Sequence, residues 1–466
     1  MNIKDIHSAY FIGIGGIGMS ALALWFQHNK VKVAGYDKTP SAITDRLSAK
    51  GISVVFDESI AALPDFMQHP DEKVLIVYTP AIPDLHTAFN FLQSNGFTLY
   101  KRSEVLGAIT RGLFTIAVAG THGKTTTGSM IAHILIEAGL NTTAFLGGIA
   151  TNYDTNMVLN TGSMQDAVVV VEADEFDRSF LTLYPNIAVL TSTDADHLDV
   201  YGERDALKKS FADFLSNVIQ TGAIFIRHKL WEGLESKRIE AVHQGYDING
   251  EAPIHAMNIS INNGIFIFDI QLKDTVITDI KLNLPGYHNV ENAIAAISVA
   301  HSLKIDAGKI KKAMAGYAGV KRRFEYIIKS VDFIFIDDYA HHPTEIEAML
   351  RSVKAMFKEK NLTVLFQPHL FSRTKDFAAE FSKSLSLADE VLLLDIYPAR
   401  ETPIAGINSK MLLNGITSAK KQHLSNKQAL AYAAKTEFDV FVTLGAGDID
   451  RLVLPLKEIF LKKHAA

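Results

Sequence analysis

Cysteine is absent from this chain of 466 residues. Its absence excludes a disulfide framework, thiolate zinc sites, iron–sulfur clusters and a cysteine nucleophile. An excess of one charge is also missing: Lys+Arg number 46 against Asp+Glu 51, a formal net charge of -5. An obligate polyanion binder would show a basic excess or a basic tail, so we expect no nucleic-acid partner, although a local basic pocket for phosphates remains open. No stretch approaches the roughly 18 uninterrupted apolar residues of a membrane span. The opening MNIKDIHSAYFIGIGG lacks a basic stretch followed by a long apolar run and a small-residue cleavage site. The expectation is a soluble, cytoplasmic protein with no membrane insertion. Short-period repeats and low-complexity segments are absent as well. At roughly 100–200 residues per domain the chain has room for two to four domains.

What is present is an alternation of short β-branched runs with longer helical patterns, the mark of α/β layers built on parallel sheets. Three series separate, with boundaries near 108 and 320, giving domains at 1–108, 109–319 and 320–466. The first predicts strands at Ser8–Ile14, Val31–Tyr36, Val54–Phe56 and Val74–Tyr78, with a helix at Met19–Asn29. The second predicts strands at Leu113–Ala119, Ala167–Glu172 and Ile187–Thr191, and helices at Ser129–Ala138 and Asn289–Leu303. Within it, Ile259–Ile270 and Val276–Leu284 alternate apolar and polar residues around Asn262-Asn263-Gly264, which predicts a hairpin or small β-meander. The third predicts strands at Ile334–Asp337, Leu362–Phe366, Glu390–Leu394 and Val440–Leu444.

Two glycine-bearing loops have the form that phosphates require. Gly13-Ile14-Gly15-Gly16-Ile17-Gly18 follows a strand and opens a helix. There, glycines let the backbone approach a pyrophosphate while the helix N-terminus supplies N–H donors. Asp37 ends the next strand, where a carboxylate can hold a ribose hydroxyl. The pattern suits NAD, FAD or a UDP-sugar alike. The second loop, Gly120-Thr121-His122-Gly123-Lys124-Thr125-Thr126-Thr127, carries more information. Its N–H groups can cradle the β- and γ-phosphates, Lys124 adds a point charge and the Thr125 hydroxyl can ligate Mg²⁺. Val118 stands where the standard phosphate loop has its first glycine, which points away from motor ATPases and small GTPases.

Acidic and histidine residues cluster at the ends of predicted strands. Glu172 closes the strand beside the phosphate loop, the edge at which a Mg²⁺ ligand belongs, while Asp174 and Glu175 read equally well as carboxylates at a helix start. His197, in the run Asp194-Ala195-Asp196-His197, can bind a second metal or orient a phosphate. A zinc site has no support, since neither HExxH nor a Cys/His pairing occurs. In the third series, Asp338 with His341, and His369 with Arg373, end two strands and form a candidate anion- or amine-binding face. Lys321-Arg322-Arg323 near the boundary is either a solvated basic run or a source of an arginine for phosphate.

The ordered series GIGGIGMSALA at 13–23, GTHGKTTT at 120–127, EADEFDRSF at 172–180, DADHLDVYG at 194–202, HNVENAIAA at 288–296, GVKRRFE at 319–325, DDYAHHPTEI at 337–346, QPHLFSRT at 367–374 and LGAGDI at 444–449 resembles the Mur ligase family. The resemblance runs nearly end to end and is strongest to the members that add L-alanine to UDP-N-acetylmuramate. It implies an α/β chain of three domains: a Rossmann-like N-terminal domain for the UDP-sugar, a central P-loop ATPase domain with a small β-meander, and a Rossmann-like C-terminal domain for the amino acid. It implies ATP and Mg²⁺, with Mn²⁺ as a substitute, and a monomer or homodimer acting on small molecules in peptidoglycan precursor synthesis. By the same resemblance Gly15, Gly16, Ile17, Gly18 and Asp37 hold the UDP moiety. Gly120, Thr121, His122, Gly123, Lys124, Thr125 and Thr126 cradle ATP. Thr125 and Glu172 bind one Mg²⁺ and His197 a second, His288 and Asn289 face the adenine, and Arg323 and Asp338 join the nucleotide. His341, His369 and Arg373 shape the alanine pocket, with His341 or His369 as the base. Two departures stand out: Leu370 replaces an arginine of many relatives, and Phe211 falls near the position of the carbamylated lysine found in other members.

Two rivals make different predictions. A family member that reattaches recycled murein tripeptide shares most motifs, but Ser179–Pro185 is short and lacks a basic insertion for a larger acidic peptide. An NAD-dependent dehydrogenase would explain the first loop and Asp37, yet it leaves the second loop without a purpose.

Overall fold

The computed structural model describes residues 2–67, 69–80, 82–83, 85–194, 204–234, 239–262, 264–399 and 401–464. Among the described residues, three sheets of five, ten and six strands organise the chain, most of their pairings parallel. Their strands read as apolar runs, such as Val168–Glu172 and Leu362–Phe366, because helices cover both faces of a parallel sheet.

The first sheet has the order β3-β2-β1-β4-β5, with β1 Ser8–Ile12, β2 Lys32–Tyr36, β3 Ser53–Val55, β4 Val74–Tyr78 and β5 Leu99–Lys101. β1 lies parallel between β2 and β4, so Gly13, Asp37 and Thr79 emerge together at the carboxyl edge. That is the doubly wound arrangement, whose ligands sit outside this edge.

In the ten-stranded sheet, β6 Phe114–Ala119 lies between β10 Ile187–Leu190 and β9 Val168–Glu172, and β9 is followed by β7 Thr142–Ala150 and β8 Thr155–Val158. The register pairs Val118 with Glu172 and Ala119 with Leu190. The phosphate-loop sequence, Glu172 and Thr191 therefore leave the sheet side by side. At its other end the sheet continues through β11 Ala223–Arg227, β12 Val242–Asp247, β13 Ile254–Asn262, β14 Ile265–Gln271 and β15 Val276–Leu282. The expected meander around Gly264 is thus present, as an extension of the central sheet.

One expectation needs correction. The helix after the phosphate loop starts at Lys124, not Ser129, because left-handed Gly123 (φ 82°) turns the chain straight into Lys124–Glu137. The antiparallel pair β7–β8 had no sequence prediction, and β7 runs through Gly147-Gly148.

Helix Ile17–His28 of the first sheet packs on β7 and β8. Asn156 donates from Nδ2 to the Ile17 carbonyl (2.5 Å) and to Ser20 Oγ (3.1 Å), and Arg46 pairs with Asp154 at 3.0 Å. The first two sheets accordingly share one compact unit, Met1–Ser260 with Ile267–Leu282 and Val290–Ala318. The other unit comprises Ile261–Phe266, Asn283–Asn289 and Gly319–Ala466. Its sheet has the order β16-β17-β21-β18-β19-β20, with β16 Glu325–Lys329 antiparallel on one edge of the parallel strands β17 Ile334–Asp338, β18 Leu362–Phe366, β19 Glu390–Leu393, β20 Lys420–His423 and β21 Val440–Leu444. Among the described residues, no helix is long and apolar enough to cross a membrane.

Candidate active site

Two glycines shape the phosphate loop. Gly120 (φ 127°) has the Ser192 backbone N only 2.7 Å from where a Cβ would stand, and Gly123 has Asn292 Oδ1 at the same distance. Neither position admits a side chain without displacing a neighbour. The loop is further held from the adjoining strand end. Ser192 Oγ accepts the His122 N–H at 2.7 Å and lies 2.8 Å from Thr121 Oγ1, which in turn accepts the Asp194 N–H at 3.0 Å. The His122 ring is 3.6 Å from the Asp194 carboxylate. Thr126 is buried in the first turn of the helix.

Lys124 lies over this loop. Its Nζ donates to the Gly120 carbonyl (2.6 Å) and to both oxygens of Glu175 (2.9 and 2.8 Å). Burial works against its charge, but the carboxylates of Glu175, Asp174 and Glu172 overcome that and raise the ammonium well above the usual lysine pKa. Beside it, Thr125 Oγ1 donates to Glu172 Oε2 at 2.8 Å, and the same oxygen accepts the Gly147 N–H at 2.9 Å. A Cβ on Gly147 would lie 2.0 Å from Glu172 Oε2, so only glycine leaves Glu172 where it is. A hydroxyl and a carboxylate converging at one point form a hard-oxygen pair that fits Mg²⁺. His197, the expected second ligand, lies outside the described residues.

Glu172 and Gly147 line a cleft of about 270 Å³ together with Gly16, Ile17, Gly18, Thr79, Arg102 and Asp174. The glycine loop of the first sheet and the strand ends of the second therefore open on one space. Within the loop, Gly15 is spoken for, because its N–H donates to Asp37 Oδ2 at 2.7 Å while Asp37 Oδ1 accepts the Thr39 N–H. Asp37 thus braces the loop. Ile17 and Gly18, which line the cleft, stand in the first turn of their helix, where backbone amides have no partner within the helix itself. Arg102 had no sequence prediction: its guanidinium lies 2.6 Å from where a Gly18 Cβ would be and 3.4 Å from Asp174.

The remaining nucleotide expectations distribute unevenly. Asn289 is buried and donates from Nδ2 to the Pro285 carbonyl at 2.5 Å, bracing its own turn, while His288 is exposed. Asn292, in the same helix and not predicted, is the residue that touches the loop: it abuts Gly123 and accepts from Thr127 Oγ1 at 3.2 Å.

In the other unit, Asp338 accepts the N–H groups of Phe324 (2.6 Å) and Ala340 (2.7 Å). Burial raises its carboxyl to a pKa of about 6, against the opposing pull of Arg323 and those two N–H donors. Of the basic run, Arg322 is structural, bound to Asp337 at 3.2 Å and to the Gly445 carbonyl at 2.6 Å. Both Arg322 and Arg323 lie 5.1 Å from the Tyr339 ring centroid. Glu345 gathers the neighbours: it accepts the His341 N–H at 3.1 Å, lies 3.4 Å from the His341 ring nitrogen and 4.0 Å from Arg323. His341 and His369 come together with ring centroids 5.9 Å apart, and His369 stacks on Tyr397. Arg373 sits in the short helix Phe371–Asp376, which Leu370 opens at φ 69°, ψ 138°. This backbone costs a leucine about 1–3 kcal/mol, and such strain concentrates at ligand sites.

Comparison with known proteins follows this geometry. The Mur ligase family, catalytic domain, matches residues 8–113, the Mur ligase middle domain 118–300, and the Mur ligase, glutamate ligase domain, 322–447. A UDP-N-acetylmuramate--L-alanine ligase of Cytophaga hutchinsonii is 48% identical over 98% of this chain and 97% of its own. The chain belongs to the Mur ligase family. A Flavobacterium psychrophilum protein of the same name is 47% identical over 98% of this Mur ligase and 99% of its own length. Among solved structures, the UDP-N-acetylmuramate-alanine ligase of Thermotoga maritima superposes with a TM-score of 0.80 at 27% identity, covering 98% of this chain and 99% of that one. A murein peptide ligase of Psychrobacter arcticus shares the fold, with a TM-score of 0.70 at 23% identity over 97% and 99% of the two chains.

Two predictions follow for this Mur ligase. Lys124→Met strands a buried carboxylate and lowers the unfolding free energy by about 3–5 kcal/mol, and adding Glu175→Gln restores most of that loss, as read by urea denaturation. For Asp338, the folded chain binds more protons than the unfolded one between roughly pH 4 and 6, since its pKa is raised to about 6. Its stabilising share is present below the unfolded pKa and lost as pH rises through the folded one. Asp338→Asn, which leaves one backbone N–H facing an amide NH₂, flattens that slope in denaturation curves recorded across pH 4–7.

Proposed function

We propose that the chain joins L-alanine to the lactyl carboxylate of UDP-N-acetylmuramate with cleavage of ATP to ADP and phosphate. The observation that carries this reading is the cleft shared by the sugar-nucleotide loop and Glu172, the carboxylate to which Thr125 donates. A dehydrogenase needs only the first of these. The full-length relatives named for alanine favour that amine over a murein tripeptide.

Under this reading the first-turn amides of Ile17 and Gly18, with Arg102, hold the pyrophosphate of the sugar nucleotide, so that its carboxylate lies toward Glu172. The loop amides from Gly120 to Thr126 and the Lys124 ammonium hold the triphosphate. Thr125 and Glu172 would hold Mg²⁺, whose charge neutralises phosphate oxygens. The carboxylate oxygen bonds to the γ-phosphorus, and the bond to the ADP oxygen breaks. The amine then attacks the acyl carbon, phosphate leaves, and a base takes the amine proton. Both first-step partners are anions, so fixed positive charge at Lys124 and Arg102 lowers the barrier to their approach. We assign the amino acid to His341, His369 and Arg373: Arg373 for its carboxylate and one histidine for the proton. Arg323 and Asp338 are assigned to the nucleotide.

Phosphate release is predicted with ATP, Mg²⁺, UDP-N-acetylmuramate and L-alanine together, and not when any one is withheld. Lys124→Ala lowers that rate by about 10²-fold or more. Release with murein tripeptide but not alanine would replace this reading by the recycling one. Gly147→Ala is expected to cut turnover at least tenfold with little change in thermal melting, because Gly147 is exposed while its Cβ meets Glu172.

A further inference from the structure

The proposed chemistry has no use for Glu175, a carboxylate with 0% exposure. A buried anion of this kind persists only with a cation beside it, and here that cation is the phosphate-loop lysine. The Lys124 ammonium has three hydrogens and three acceptors: the Gly120 carbonyl at 2.6 Å and the two Glu175 oxygens at 2.9 and 2.8 Å. Every donor is engaged. A phosphate oxygen can therefore reach this lysine only by displacing an acceptor already in place. The Gly120 carbonyl is part of the loop backbone, whose position the neighbouring strand end fixes, so the exchangeable partner is a Glu175 oxygen.

Building on the assignment of ATP to this loop, we propose that Glu175 is a positioning residue that holds Lys124 in reserve, and that a nucleotide phosphate binds by replacing one Glu175 oxygen at the ammonium. Complete separation of the pair is excluded by the dry surroundings of the carboxylate, so Lys124 pivots and its charge is shared between Glu175 and phosphate. The consequence is a weakened grip. An unpaired lysine would hold ADP more tightly, whereas an enzyme that discards ADP at each turnover gains from an acceptor waiting to reclaim the ammonium. Sharing also keeps Lys124 away from Glu172, 2.8 Å from the Thr125 hydroxyl, so that the metal-binding carboxylate is not neutralised by the wrong cation.

Glu175→Gln tests the exchange, because it preserves shape and removes the competing charge. ADP binding to the wild-type chain, measured by calorimetry, comes first and reports on the nucleotide reading alone. With that binding established, the variant is expected to bind ADP about 3- to 10-fold more tightly, the size of one exchanged charge-assisted hydrogen bond. KM for ATP and kcat are expected to fall together as product is retained. A residue that merely fills space would loosen ADP binding or leave it unchanged, and either result overturns the proposal. A structure of the wild-type chain with ADP gives the second reading, independent of how well the variant folds. Lys124 Nζ is expected to contact a phosphate oxygen and one Glu175 oxygen. Retention of both Glu175 contacts beside a bound nucleotide overturns the exchange.

Discussion

The register of three neighbouring parallel strands governs everything else in this molecule. Pairing Val118 with Glu172 and Ala119 with Leu190 brings the phosphate loop, the Glu172 carboxylate and the Thr191–Ser192 hydroxyls out at one edge. A slip of one residue would turn Glu172 to the opposite face and separate it from Thr125. The packing of Ile17–His28 on β7 and β8 then carries the glycine loop of the first sheet to the same edge. One cleft results from two ordinary doubly wound constraints, each of which places a ligand at the carboxyl ends of its strands.

Charge at these strand ends is arranged in opposed pairs rather than as a simple positive patch. Lys124 meets Glu175, Arg102 meets Asp174, and Thr125 with Gly147 steadies Glu172. Such pairing gives each of these charges a partner, which is the condition for holding fixed charge in place without a large cost of reorganisation. The other unit uses the same device. Glu345 gathers His341 and Arg323, and Asp338 ties the Phe324 and Ala340 amides, so these side chains are held in place by fixed partners.

Much of this was legible in the sequence, and the limits have physical causes. Long apolar strands, the glycine spacing at 13–18 and the GTHGKTTT loop announced the α/β layers and both loops, because those patterns are local. Glu175 stands at a helix start, as its sequence position suggests, but nothing local to it identifies Lys124 as its partner. Gly147 was invisible, since its meaning is a close approach to Glu172 through a parallel pairing of distant strands. Asp37 suggested a ribose contact from its place after β2, and its hydrogen bond from the Gly15 amide had no local signal. Asn292 lay inside a motif that was recognised, but only the helix geometry distinguishes it from Asn289.

The central claim is that the cleft brings a carboxylate of the sugar nucleotide to the terminal phosphorus of ATP. Carrying ¹⁸O in that carboxylate through one turnover with L-alanine tests it at the level of the bond formed. The account predicts one labelled oxygen in the released phosphate and none in ADP. Phosphate free of label, or label in AMP, would contradict it.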